Sequence, residues 1–376
     1  MPAWDVRFDL PLDLGDADLI RALARAEALA EVIQGIPVSP FVETALNRLN
    51  ILRAVRANTA LEGADLSEDE VRLVLDSSSQ VLASTRGREE QETRNADEAM
   101  RYVAGLLSDE PDRPIDEETI CRINELLTQK IEYADHEPGH YRAHGVTAQT
   151  YVPPRTHEQV VSLMGEFVSW LNHGKVLSWP PVARAVAAHF YLVSIHPFGD
   201  GNGRTARAVE SYLLYQSRIN SFGFYSLANF YYRNRDTYIA KLDEVRFTTQ
   251  NLMTFVRFAV DGLVEELSAV HREVLAYVEI LAYRDFSNET LQRSKLSTKN
   301  RERLSKLLTM LEGRPASLRE IRTGGHRISA LYKGASIRMV ERDLDQLEKL
   351  RLIRREAGLV QARLEVLKEA ARITER

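Results

Sequence analysis

Apolar residues recur at spacings of three and four along most of this chain, and this helical period constrains the fold more than any other feature. One stripe contains Leu19, Leu23 and Leu29, and Pro37 and Pro40 then separate it from the next helix. The pattern predicts a mainly α fold. We predict further helices over Phe41–Ala60, 68–75, Glu89–Leu107, Asp116–Gln129, Thr156–Asn172, Val182–Ile195, 203–217, Arg235–Phe247, Leu252–Tyr283 and Arg301–Leu311.

One segment in the middle of the chain has the composition of a strand. Val146–Val152 is rich in β-branched and aromatic residues, and Pro153 and Pro154 close it. We therefore predict a short β-hairpin at this point.

The last part of the chain has a different pattern. Short helices are predicted over Ser317–Ile321 and Ile337–Leu350, and the strands Leu352–Glu356 and Leu359–Arg363 flank the turn Ala357-Gly358. Helix, helix and ribbon in this order are typical of a winged helix-turn-helix. Residues 294–376 carry a net charge of +9 and the rest of the chain −14, which indicates separate tasks and an acidic partner for the basic part.

Cysteine usage and hydropathy indicate the compartment. Cys121 is the single cysteine, so an internal disulfide framework and a cysteine-based zinc site are excluded. The most apolar segment, Val182–Ile195, is too short to cross a bilayer, and the N-terminus has no signal-peptide pattern. We expect a cytoplasmic protein without a membrane partner.

The loop His196-Pro-Phe-Gly-Asp-Gly-Asn-Gly-Arg204 has the composition of a phosphate site. Its three glycines, Gly199, Gly201 and Gly203, permit backbone angles that other residues avoid. Successive N–H groups can then face one point at the start of the next helix, where the helix dipole also attracts an anion.

The side chains of this loop add the groups that a phosphoryl-type reaction needs. Asp200 offers a hard oxygen ligand for Mg²⁺, and Arg204 and Arg207 can both reach a polyphosphate. His196 has an ordinary pKa near neutrality and is the natural general base. The loop therefore predicts binding of a nucleoside triphosphate with Mg²⁺ and attack on one of its phosphates.

The segment from His196 to Arg207 resembles the signature of the Fic family, H-x-F-x-D/E-G-N-G-R-x-x-R, at every defined position. Asn95 and Ala99 resemble the first core helix of that family, Gly139-His-Tyr-Arg142 its flap, and Arg235-Asp-Thr-Tyr238 the segment after the signature. The resemblance covers roughly residues 90–260.

The resemblance implies a mainly α, Fic-type helical core with a short β-hairpin flap, and transfer of AMP from ATP to a Ser, Thr or Tyr hydroxyl of a protein. It implies four regions. They are an N-terminal helical region with an inhibitory motif (1–88), a catalytic core (89–265), a connecting helix (266–293) and a winged helix-like domain (294–376).

The resemblance also assigns roles to single residues. His196 is implied to deprotonate the target hydroxyl, and Asp200 to hold Mg²⁺. The flap is implied to pair with the backbone of the target through Ala148, Gln149, Thr150 and Tyr151. The implied nucleotide-binding residues are Glu62, Gly201, Asn202, Gly203, Arg204, Thr205, Ala206, Arg207 and Tyr238.

Asn58-Thr-Ala-Leu-Glu-Gly63 resembles the inhibitory motif of the family, S/T-x-x-x-E-G/N. Glu62 and Gly63 match this motif, whereas Asn58 stands where Ser or Thr is usual, with Thr59 one residue away. The resemblance implies that Glu62 pairs with Arg207 in the place of the ATP γ-phosphate and inhibits transfer.

Several alternatives remain at this point. The same site can serve transfer of another phosphate-linked group, or removal of AMP. A nucleotide-sensing DNA-binding regulator is the alternative outside enzymes, with the basic residues Arg338, Arg342, Lys349, Arg354 and Arg355 contacting phosphates. The expected partners are a target protein or the chain itself, DNA under the second alternative, and a second copy of the chain in a homodimer.

Overall fold

The computed structural model describes residues 2–36, 40–132, 135–148, 150–219, 227–312, 315–323, 331–332 and 336–367. Gln149, one of the predicted flap residues, lies outside these ranges. The chain forms two compact units, Met1–His271 and Arg272–Arg376, which we describe separately. The predicted mainly α fold is confirmed.

The described residues of the first unit contain ten α-helices. An eleventh α-helix begins in the first unit and ends in the second. Among the described residues, none of these helices combines the length and the apolarity required to cross a bilayer. A π-helical turn, Val245–Thr249, follows the tenth. The helices are α1 Ala17–Gly35, α2 Pro40–Leu61, α3 Glu68–Asp76, α4 Gly87–Asp109, α5 Glu117–Thr128, α6 His157–Asn172, α7 Pro181–Ile195, α8 Asn202–Gln216, α9 Leu227–Arg233, α10 Arg235–Glu244 and α11 Met253–Arg293.

Side-chain caps set the starts of three helices. The hydroxyl of Ser67 accepts from the backbone of Glu70, and the Glu70 carboxylate accepts from the Ser67 backbone, which is a complete capping box. Thr156 caps α6 in the same way, and Asp116 accepts from the third residue of α5. These caps place each start within a residue of its predicted position.

Helix α7 is the centre of the first unit. Its residues are buried on nearly every side, as expected of a helix that is apolar all round. Helix α8 packs along it, and the segment between them, residues 196–201, turns the chain at one end of the pair. The Gly-rich loop is therefore held by the best-packed part of the unit.

Over the described residues, the hairpin predicted at Val146–Val152 is present only as a minimal turn, and no extended strand forms there. Ala148 and Tyr151 form one isolated antiparallel bridge, with N–H···O distances of 3.0 and 3.1 Å, and Val152 pairs with Ala3 instead. The ladder ends there because the following residues, Pro153 and Pro154, have no backbone N–H to extend it.

The second unit contains α12 Thr298–Leu311, α13 Leu318–Thr323 and α14 Ile337–Lys349 beside an antiparallel sheet. The sheet has the order β1-β3-β2, with β1 at Ala316–Ser317, β2 at Ile353–Glu356 and β3 at Leu359–Ala362. The predicted ribbon is confirmed as β2 and β3. Its turn has positive φ at both central positions, 50° at Ala357 and 77° at Gly358, as two-residue hairpins favour.

Candidate active site

Two left-handed residues shape the loop between α7 and α8. His196 ends α7 with φ 53°, and Gly201 precedes α8 with φ 75°. Phe198 is fully buried between them. The Phe198 N–H donates to Asn202 Oδ1 and the Asn202 amide returns a bond to the Phe198 carbonyl, both at 2.9 Å. The Asn202 side chain therefore closes the loop from inside, and Gly203 in the first turn of α8 borders the cleft.

The His196 ring is oriented by the helix that it ends. Its Nδ1 lies 3.3 Å from the Val193 carbonyl, so Nδ1 carries the proton and Nε2 has a free lone pair. Burial lowers the pKa of His196 to about 4, and the cations of Arg142 and Arg246 act in the same direction, against the Val193 carbonyl and Glu62. The ring is therefore neutral at pH 7 and able to accept a proton.

A neutral His196 predicts an NMR titration without a His196 transition. In histidine-labelled protein, we expect the His196 ring signal to stay constant between about pH 5.5 and about pH 8, whereas an unfolded chain titrates near 6.5. His196→Gln assigns the signal. A midpoint near 6.5 for the folded His196 signal would contradict this description of the ring.

Arg207 joins α8 to the end of α2. It is 3% exposed, and its Nη2 donates to Glu62 Oε1 at 2.7 Å. Its Nε donates to the Asn58 side-chain oxygen, and Nη2 also donates to the Asn58 carbonyl at 3.2 Å. Burial by itself raises the pKa of Glu62, but the cations of Arg207 and Arg204 outweigh it, so the pKa lies below its usual value. Glu62 is therefore an anion at neutral pH.

The Glu62 carboxylate rests on the first turn of α8. A Cβ built on Gly203 would collide with Glu62 Oε1, so the glycine is required for this close approach. The position combines free N–H groups with the positive end of a helix dipole, which is the environment of a bound phosphate. The Glu62 side chain is 32% exposed, so the carboxylate lies at the wall of an open cleft.

Asp200 and Arg204 lie on the other side of the loop. Asp200 Oδ1 accepts from Arg204 Nη2 at 3.0 Å and from the Gly201 backbone, and its carboxylate is 41% exposed. The described residues contain no group of three His, Cys, Asp or Glu side chains that could hold a metal. One exposed carboxylate suits Mg²⁺, which takes most of its other ligands from substrate phosphates and water.

Residues 114–214, which span α5 to α8, match the family model described as Fic/DOC family. The chain carries a Fic/DOC domain. Protein adenylyltransferase fic-1 of Caenorhabditis elegans is 37% identical over 163 residues, which are 42% of this chain and 30% of that protein. Protein adenylyltransferase Fic of Drosophila willistoni is 30% identical over 238 residues, 55% of this chain and 46% of that protein. The chain thus spans less than half the length of these relatives.

Solved structures show the same fold. The structure of Fic-1 from C. elegans has a TM-score of 0.57 and 28% identity, and covers 68% of this chain and 73% of that one. A Fic family protein from Desulfovibrio desulfuricans has a TM-score of 0.56 at 19% identity, and covers 96% of this chain and 98% of that one. The second likeness extends the shared fold over almost the whole chain.

The Fic loop faces a partly open cleft. The cleft brings together most residues predicted from distant parts of the sequence. Asp200, Gly201, Asn202 and Arg204 belong to the same loop without lining this cleft. Its lining includes Glu62, Ala148, Thr150, Tyr151, His196, Gly203, Arg207, Tyr238 and Arg246.

Thr205 and Ala206 are placed differently from the other predicted nucleotide residues. Both side chains are fully buried, and Thr205 Oγ1 donates to the Gly201 carbonyl at 2.9 Å while accepting from Asn124 at 3.1 Å. Neither side chain is therefore available to a ligand, and the Thr205 N–H also donates to the Gly201 carbonyl at 2.8 Å. Tyr238 lines the cleft, and its hydroxyl lies 2.9 Å from Nε2 of the buried His189.

Four residues that support the Fic site were missed by sequence reasoning. Asn58 is a direct partner of Arg207, and its spacing of four from Glu62 on one helix face was the available signal. Asn124 donates to the Asp200 carbonyl, and Arg142 to the His196 carbonyl at 2.8 Å. Arg246 packs against the Tyr151 ring of the flap. Asn124 and Arg246 are brought to the loop by tertiary packing, and no local pattern marks them. Arg142 stands in the flap motif, but the motif did not indicate its contact with His196.

Proposed function

We propose that this chain is a protein adenylyltransferase that transfers AMP from ATP to a Ser, Thr or Tyr hydroxyl, and that Glu62 keeps it inhibited. One observation carries this proposal. A neutral His196 with a free Nε2 lines the same cleft as the anion cradle, which consists of the first turn of α8 around Gly203 and the Arg207 guanidinium. The likeness to relatives named protein adenylyltransferase supports AMP as the transferred group.

The proposed nucleotide contacts follow from the groups that the loop presents. The backbone N–H groups of residues 202 and 203 and the cation of Arg207 would hold the outer phosphates, with Arg204 beside them. The N–H of Gly201 would join them only by leaving Asp200, to which it donates here. Tyr238 would border the base. Asp200 would hold Mg²⁺, which when bound supplies charge neutralisation on the phosphate oxygens.

The proposed reaction needs one base and a bound leaving group. His196 Nε2 takes the proton of the target hydroxyl, and the hydroxyl oxygen forms a bond to the α-phosphorus of ATP. The bond between the α-phosphorus and its bridging oxygen breaks, and pyrophosphate leaves with that electron pair. The cradle holds the charge that develops on the departing oxygens.

The proposed inhibition is a competition between two anions. Glu62 is ionised and occupies the start of α8, where a terminal phosphate of ATP would bind. Like charges this close repel, so ATP enters with its outer phosphates displaced from the cradle and its α-phosphorus out of line with the hydroxyl.

Position-specific labels of ATP test the transferred group. Glu62→Gly protein is incubated with cell lysate, Mg²⁺ and ATP labelled at the α- or at the γ-phosphate. AMP transfer labels protein from α-labelled ATP alone, whereas a phosphotransferase labels it from γ-labelled ATP alone. Protein that already carries the label can also be incubated with either form of the chain. If wild-type protein removes the label faster than Glu62→Gly protein does, removal of AMP is supported instead.

Asn58 provides a weaker test of the inhibition. We expect Asn58→Ala to raise basal transfer about three- to tenfold, roughly 0.7–1.4 kcal/mol, because Arg207 loses a hydrogen bond that helps to hold it against Glu62. Thr59→Val is the matched control. Its hydroxyl donates only to the carbonyls of Val55 and Arg56, so transfer should not change. Equal transfer by Asn58→Ala and wild-type protein, at unchanged ATP affinity, would contradict a role of the hydrogen bond between Asn58 and Arg207 in the inhibition.

We propose that the target docks at the flap, with one restriction. Ala148 and Tyr151 use both their backbone groups on each other. The Val152 N–H donates to the Pro2 carbonyl at 2.9 Å, so an incoming strand would have to pair with other backbone groups of the flap, as in other cases of strand addition.

The DNA-binding alternative has less support in the second unit. Arg354 pairs with Glu365 at 3.2 Å, and Arg355 pairs with Asp345 and Glu348. These carboxylates neutralise two of the positive charges that the β2–β3 ribbon would offer to DNA. Arg338, Arg342 and Lys349 are exposed on α14. A gel shift that weakens steeply with salt would support this alternative. The cytoplasm as compartment and the homodimer stay predictions from the sequence.

A further inference from the structure

Tyr151 lies inside the flap and reaches the end of α7. Its side chain is buried, and its hydroxyl donates to the Val193 carbonyl at 2.6 Å, with the Ser194 carbonyl at 3.0 Å. Burial raises the pKa of Tyr151 to about 12, so the hydroxyl stays protonated and keeps donating. These carbonyls belong to the last turn of a helix, where no further backbone N–H serves them.

Tyr151 therefore shares an acceptor with the general base. The Val193 carbonyl that receives the Tyr151 hydroxyl also faces His196 Nδ1 at 3.3 Å. A displacement of the tyrosine would move this carbonyl, and with it the group that fixes the tautomer and the plane of the imidazole.

Arg246 holds Tyr151 in that position. Its guanidinium lies 4.0 Å from the centre of the Tyr151 ring, and its Nε donates to Ser194 Oγ at 3.1 Å. Its Nη1 donates to Asp243 at 3.1 Å, and the same carboxylate oxygen accepts from the Thr150 hydroxyl at 2.8 Å. Arg246 is 3% exposed, and a cation stacked on a ring in a desolvated site contributes more than an exposed one.

The backbone around Arg246 is unusual in a way that fits a site residue. It belongs to the π-helical turn Val245–Thr249, and such turns occur often at functional sites because the extra residue redirects side chains. Here the turn directs Arg246 to the flap and to α7 at once, and its side chain also lines the cleft.

We propose that Arg246 and Tyr151 form a positioning pair for His196, which couples the flap to the orientation of the general base. This inference rests on the proposed transfer activity. The pair is bonded to Val193 and Ser194 at the end of α7, so we infer that its effect on the reaction passes through these two residues. Displacements of about 1 Å at a reacting group cost on the order of 100-fold in rate.

The test uses the full chain carrying Glu62→Gly, with Tyr151→Phe and Arg246→Gln each added to it. Tyr151→Phe keeps the ring and removes the hydroxyl. Arg246→Gln removes the cation and the pair with Asp243. We expect each to lower kcat about 10- to 100-fold, while the KM for ATP changes less than about threefold. Arg246→Lys keeps the positive charge that Arg246→Gln removes, but it lacks the planar, multi-donor guanidinium. It should therefore retain part of the rate that Arg246→Gln loses.

A second readout does not depend on activity. Removing the Arg246 cation should raise the His196 pKa seen by NMR, because that cation lowers it in the wild-type chain. Tyr151→Phe should shift the His196 ring signal without unfolding the protein. A loss of stability alone would move neither signal in the folded state.

The control is Arg184→Gln, which removes a half-buried arginine from the first turn of α7, where it bonds to Gln216. Its kcat and His196 signal should match the parent. Tyr151→Phe and Arg246→Gln proteins with parental kcat and an unchanged His196 signal would overturn the proposal. An inactive Glu62→Gly parent would contradict the proposed function instead, and the NMR comparison would still decide the positioning role.

Discussion

Glu62→Gly protein is expected to transfer AMP at least tenfold faster than wild-type protein at saturating ATP, a difference of about 1.4 kcal/mol in the barrier. The reason is local. The substitution removes an ionised carboxylate from the first turn of α8 and releases Arg207, whose Nη2 it binds at 2.7 Å. The outer phosphates can then occupy the cradle with the α-phosphorus in line. The measurement is initial rate of protein labelling from α-labelled ATP.

Glu62→Gln provides the matched control for charge. The amide keeps the size of the side chain and can still accept from Arg207, but it no longer repels phosphate. We expect transfer between that of wild-type and Glu62→Gly protein. Equal rates for all three proteins would show that this carboxylate does not limit the reaction.

His196→Ala, introduced into Glu62→Gly protein, is expected to lower kcat by about 10²- to 10⁴-fold, the range for loss of a general base. ATP affinity should change little, because the proposed phosphate contacts come from α8. The test compares single-turnover transfer with equilibrium binding of ATP. His140→Ala is the control, since this ring is largely exposed and bonds only within its own turn.

Residual transfer above about a tenth of the parental rate would contradict the assignment of His196, because a positioned base contributes at least 10²-fold. A parallel loss of ATP affinity would indicate that the loop itself has collapsed. His196 takes a left-handed conformation that costs a non-glycine residue energy, so a smaller residue could alter the turn. His196→Asn tolerates that conformation and separates the two effects.

The helices and the Fic loop were predictable from sequence because their causes are local. Apolar spacing, the caps at Ser67 and Thr156, and the glycines of the loop each act over a few residues. The same reasoning identified β2 and β3 through the turn at Ala357. It missed β1, whose two residues are too few to show an alternating pattern.

The support of the site was not predictable, because it depends on which side chains meet after folding. Asn58 was taken as a departure from a motif, yet its amide is a direct acceptor for Arg207. Tyr151 was assigned to target docking through its backbone, and the additional contact of its buried side chain with the end of α7 was not foreseen. Arg246 reaches the site through a π-helical turn that has no sequence signature.

The central claim is that one carboxylate in a phosphate cradle restrains AMP transfer by His196. Protein labelling from α-labelled ATP, measured for wild-type, Glu62→Gly and Glu62→Gly/His196→Ala proteins together, tests it most directly. We expect weak labelling by wild-type protein and at least tenfold stronger labelling by Glu62→Gly protein, which corresponds to a barrier lower by about 1.4 kcal/mol. We expect almost no labelling by Glu62→Gly/His196→Ala protein. Equal labelling by the first two, or undiminished labelling by the third, would contradict this claim.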